Sequence, residues 1–160
     1  MLRSDPLRPG RLLLVLAVCS AAATAVAQQP EGGVYIAGDG FSFAQAAGQA
    51  LDQNAGGQRF YVLALPPESQ ALTTSASAQN VAQRTRVVSA GGVLYVCQRD
   101  IANGKVDAGS LAPGVIAVRG WPRLGSAAMQ SDARYFPGEN PANLPVANHL
   151  LHQIRNTCED

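Results

Sequence analysis

The stretch Gly91-Gly92-Val93-Leu94-Tyr95-Val96-Cys97 sets five consecutive apolar residues behind a glycine pair. A short, uninterrupted run of this kind, rich in β-branched and aromatic residues, reads as a strand with both faces covered, the situation inside a parallel sheet. Working outward, similar runs recur at Gly33–Ala37, Arg59–Leu65 and Gly114–Val118. Helical patterns separate them. Ser42 is placed to cap a helix running to about Asn54, with Phe43, Ala46, Ala47, Ala50 and Leu51 on one stripe and Gly56-Gly57 as its stop. A second helix is expected from about Ser77 to Ser89 and a last one from about Asn143 to Thr157, burying Ala147, Leu150, Leu151 and Ile154. Between Trp121 and Pro141 the pattern is weaker, with a short helix over Ser126–Asp132 and an edge strand at Arg134-Tyr135-Phe136. Strand–helix–strand order with short links predicts one α/β domain, a doubly wound, mostly parallel sheet of four to five strands flanked by helices.

The chain has 160 residues, 14% of them charged, with twelve Lys/Arg against eleven Asp/Glu. That length suits one domain. A net charge of +1 offers no basic excess to hold a phosphate backbone, so a dedicated nucleic-acid binder is excluded. A quarter of the basic residues sit at the amino end. Arg3, Arg8 and Arg11 precede the apolar run Leu12–Val18, and small residues follow to Ala25-Val26-Ala27. This is the pattern of a secretory signal peptide over residues 1–27, with the domain over 28–160. Its removal takes away those three arginines and Asp5, leaving 133 residues with a net charge of −1 and two cysteines, Cys97 and Cys158. A periplasmic or secreted location follows, with no stable membrane span after cleavage.

Ligands of open parallel sheets bind outside the carboxyl ends of the strands. Those ends carry Asp39-Gly40, Pro66-Pro67-Glu68, Cys97-Gln98-Arg99 and Arg119-Gly120-Trp121. Cys97 is the candidate nucleophile, because it closes a buried strand where a helical turn can open, and Arg99 or Arg119 could favour its thiolate. Asp39, Gly40, Arg99, Arg119 and Trp121 are the candidate binding residues. Two other readings of Cys97 stand beside this one. It could be an inert buried cysteine, or half of a disulfide with Cys158. A final helix that starts at the carboxyl edge and runs back would carry Cys158 roughly 20 Å away over some 14 residues. A disulfide needs Cα atoms within about 7 Å.

The remaining motifs do not point to a cofactor or a metal. Gly38-Asp39-Gly40 begins like G-x-G-x-x-G, but Phe43 stands where the third glycine belongs, which leaves a turn. His149 and His152 lie three apart and read as a solvated helix face rather than metal ligands. No G-x-S-x-G elbow supports a serine hydrolase.

The segments Gly91–Gln98, Gly104-Lys105-Val106 and Leu111-Ala112-Pro113-Gly114-Val115 resemble the DsrE/DsrF-like sulfur-relay family. The shared pattern is a glycine-led strand ending in Cys, a short helix, and L-x-P-G-V into the next strand. The resemblance spans roughly Val34 to Gly120. It implies a doubly wound domain that often assembles as a homo-oligomer. It also implies that Cys97 carries sulfur as a persulfide, with a sulfur donor or acceptor protein or a small thiol as partner. The alternative is a non-catalytic small-ligand-binding or assembly module on the same fold.

Overall fold

The computed structural model describes residues 30–122 and 134–159. The signal segment and the Ser126–Asp132 helix expected from the sequence lie outside the described residues. Four strands, β1 (Glu31–Ala37), β2 (Arg59–Ala64), β3 (Gly92–Cys97) and β4 (Val115–Val118), form one all-parallel sheet in the order β1-β2-β3-β4. Helices α1 (Phe43–Gln53), α2 (Ala78–Ser89), α3 (Gln98–Ala102) and α4 (Asn148–Thr157) complete the α/β layers. Ser42 caps α1 as expected, its hydroxyl accepting from the Gln45 amide while the Gln45 side chain accepts from the Ser42 amide.

The period of two along each strand divides the interior into two cores. Phe60, Val62, Ala64, Leu94 and Val96 point to one face, where Phe43, Ala46, Ala47 and Ala50 of α1 and Val87 of α2 cover them. Tyr61, Leu63, Tyr95 and Cys97 point to the other, beneath Leu150, Leu151 and Ile154 of α4. Consecutive crossovers to a neighbouring strand, all of one hand, place their helices on one side. The second face therefore depends on the carboxyl-terminal segment. Gly92 marks the tightest packing of the first core, since a Cβ there would stand 2.6 Å from both Phe60 and Val87.

The last helix departs from expectation in length and direction. Residues 141–143 form a separate 3₁₀ turn, and Leu144 is extended because Pro145 follows it. The helix proper starts only at Asn148. Its amino end lies against the start of β1, where the Glu31 carboxylate accepts from the Val146 and Ala147 amides at 2.7 and 2.6 Å. Its carboxyl end lies at Cys97, the last residue of β3. It thus runs in the direction of the strands, because residues 139–147 lead from the Glu139–Arg155 pair back to Arg59 and Glu31 at the amino edge.

Arg134–Phe136 is not a strand. The Arg134 carbonyl accepts from Arg155 and the Phe136 amide donates to Glu139, so side chains take the backbone groups that an edge strand would give to a neighbour.

Glu31 is the anchor of the α4 amino end. Burial opposes its charge, but the Tyr61 hydroxyl, the Val146 and Ala147 amides and the nearby Arg59 outweigh it and hold the carboxyl below its ordinary value of 4.5. A depressed carboxylate contributes stability that is complete above the unfolded value and lost as pH falls through the folded one. The urea midpoint is therefore expected to be flat from pH 7 to about 5 and to fall below 4.5. Glu31→Gln should lower the plateau and make this acid limb shallower, and an unchanged limb would count against the anchor.

Candidate functional site

Cys97 and Cys158 form a disulfide, with Cα atoms 5.2 Å apart and both residues fully buried. This corrects the expectation that the fold separates them. Cys97 shares a sheet face with Tyr95, and Cys158 continues the stripe of Leu150, Leu151 and Ile154 by one helical turn. With α4 running toward the carboxyl edge, the two stripes end together. Cys97 consequently presents neither a thiolate nor an exposed sulfur. Gly120 is needed beside this staple, since a Cβ there would fall 1.8 Å from the Cys158 carbonyl oxygen.

Arg99 does not serve as a cation for Cys97. Its guanidinium donates to the Glu159 carbonyl, and its Nε lies 3.8 Å from the Asp100 carboxylate. Arg99 therefore ties the chain end down just beyond the disulfide. Asp39 and Gly40 form a tight turn after β1, closed by reciprocal Gly38–Phe41 backbone hydrogen bonds, with Asp39 at φ 50°. Three strand spacings, roughly 14 Å, separate β1 from β4, so this turn does not meet Arg119 or Trp121. Trp121 packs against Phe136 and His152, with ring centroids 5.9 and 5.4 Å away.

A residue that the sequence reading passed over organises this end of the sheet. Arg155 is fully buried and pairs with Glu139 through both carboxylate oxygens, at 2.7 and 3.1 Å. It also donates to the carbonyls of Arg119 and Arg134 at 2.8 and 3.0 Å. Its guanidinium carbon lies 4.6 Å from the Phe136 ring centroid and 5.2 Å from that of Trp121. Burial opposes the Glu139 charge, but the hydrogen bonds from Arg155 and from the Phe136 amide hold its carboxyl below the ordinary range.

Beside this cluster lies a cavity of about 340 Å³, lined by Gln98, Ile116, Ala117 and Arg119 on one side and by Pro137–Asn140, Asn143 and Leu144 on the other. Gln98 and Arg119 directly follow β3 and β4, so the cavity reaches the carboxyl ends of these strands. Of the expected binding residues, Arg119 alone lines it. Its guanidinium lies over Phe136, 4.5 Å from the ring centroid, and among the described residues no carboxylate pairs with it. Sequence reasoning missed Glu139 and Asn140 because they belong to an irregular segment with no periodicity to place it, and it read Asn143 only as the start of the last helix.

Among the described residues no helix is long and apolar enough to cross a membrane, and no three His, Cys, Asp or Glu side chains converge as a metal site. Comparison with protein-family models, curated proteins and solved structures finds no match to this chain.

Proposed function

We propose that this protein is a periplasmic or secreted binding module that holds a small ligand between β4 and the 137–144 segment, on an α/β domain stapled by Cys97–Cys158. The cavity carries the reading. It combines an apolar wall (Ile116, Leu144, Pro137), side-chain amides (Gln98, Asn140, Asn143) and a guanidinium, that of Arg119, with no carboxylate partner among the described residues, the mix typical of small-molecule pockets. The disulfide supports an oxidising compartment, as does the signal-like amino end. Assembly as a homo-oligomer belongs to the same proposal and is supported by Val81 and Val88, two apolar side chains exposed on α2.

The DsrE/DsrF-like resemblance around Cys97 supports a second reading, sulfur transfer through a persulfide. That chemistry needs a thiolate, so an external dithiol would first have to give two electrons and two protons to the bond with Cys158, releasing two thiols and leaving as a disulfide itself.

A fragment screen followed by amide chemical-shift mapping tests the first reading. Hits are expected to move resonances of Gln98, Arg119, Asn140 and Asn143, with the cysteines oxidised. Binding mapped elsewhere, or sulfur uptake by the oxidised protein from a persulfide donor, would sink it.

A further inference from the structure

Resting on that pocket reading, we propose that the ligand is a small monocarboxylate with a short apolar body, its carboxylate seated on Arg119. Charge decides the sign. Arg155 and Glu139 stand side by side and neutralise each other through a two-point pair, so the Glu139 wall presents no free negative charge to a ligand. Arg119 is then the uncompensated charge among the described lining residues, and it has no hydrogen-bond partner there for its guanidinium. One positive charge unpaired among the described residues matches one negative charge on the ligand.

Shape narrows the class further. The guanidinium is a planar fork that fits the two oxygens of a carboxylate, and it lies over the Phe136 ring. Beyond it the surface changes character. Ile116, Leu144 and Pro137 form an apolar floor and wall, while the Asn140 and Asn143 side-chain NH₂ groups have no protein acceptor among the described residues. The Asn140 Oδ1 already accepts from the Ala142 amide, which holds its NH₂ as a donor. These amides can donate to the remaining lone pairs of the same carboxylate. A volume of about 340 Å³ lies at the small end of ligand pockets, so the body is short.

The test uses the protein produced from its full coding sequence, labelled with ¹⁵N and titrated separately with 3-methylbutanoate, 3-methylbutanamide and inorganic phosphate. The acid is expected to move the Arg119 Nε–Hε signal and the side-chain amide signals of Asn140 and Asn143. The neutral amide should bind about tenfold more weakly or worse, as loss of a hydrogen bond to a charged group implies. Arg119→Gln should erase that difference, and Arg119→Lys should keep part of it. Because Arg119 is exposed, both variants should retain the dispersed spectrum of the fold.

Equal binding of acid and amide, with no effect of Arg119→Gln, would overturn the carboxylate assignment and leave the pocket standing. Tighter binding of phosphate at the same signals would overturn the monoanion. If none of the three probes moves a lining residue, the carboxylate assignment fails. The pocket fails with it when the fragment screen also maps elsewhere.

Discussion

Removing the disulfide by the double substitution C97A/C158A is expected to cost about 4 kcal/mol of folding stability and to lower the melting temperature by more than about 10 °C. The size follows from the loop that the bond closes, which spans a sequence separation of 61 residues and so removes much entropy from the unfolded chain. The loss should be uneven. Leu150, Leu151 and Ile154 of α4 cover Tyr61, Leu63 and Tyr95, and the helix is held at its far end by Glu31 alone among the described carboxylates. Native-state hydrogen exchange should therefore show α4 amides opening before those of β2 and β3 in the variant. If α4 stays as protected as the sheet, or if the cost is under about 1 kcal/mol, the bond is not what holds this helix down.

The same feature shows what could be read from the residues and what could not. Each strand carries an apolar run and has Gly or Pro within two residues before its start, and the runs at 59–64 and 92–97 alternate between two cores. That alternation already assigns Cys97 to the face of Tyr95. Cys158 likewise sits four residues after Ile154, on the buried stripe of α4. Both halves of the staple were visible as stripes. Their meeting was not, because it depends on the direction of α4, set by an irregular return over residues 139–147. Nothing periodic marks that return. It is positioned by contacts distant in sequence: Arg59 donating to the Ala142 carbonyl at 2.5 Å, Tyr95 donating to the Asn143 carbonyl, and Glu31 accepting from the Val146 and Ala147 amides.

The candidate site was legible in the same partial way. Reading strand ends identified Arg119 and the neighbourhood of Gln98, since chain direction alone brings those residues to one edge. It also grouped Asp39 with them, although sequential strand order sets β1 and β4 at opposite sides of the sheet. The opposite wall came from residues 137–144, which only the tertiary fold brings near.

Arg155 is the harder lesson, because a single arginine beside a hydrophobic stripe resembles any solvated helix residue. Its burial predicts the second large effect. Arg155→Met is expected to cost about 3–5 kcal/mol, since it leaves the Glu139 carboxylate and two carbonyls, those of Arg119 and Arg134, without their donor. Most of that cost is the penalty of an uncompensated partner rather than the net worth of the pair. Glu139→Gln alone should also destabilise, by leaving a guanidinium in an apolar setting between Trp121 and Phe136. The double variant R155M/E139Q should be less damaged than the two single losses added together, with a coupling above about 1 kcal/mol in a urea-denaturation cycle. Arg155→Met should also weaken ligand binding at Arg119 more than its stability loss explains. The pair holds the Glu139–Asn140 wall, and its guanidinium fixes the backbone at Arg119. Additive single effects, or an unchanged binding constant in a folded Arg155→Met protein, would show that this buried pair is packing alone and does not shape the pocket.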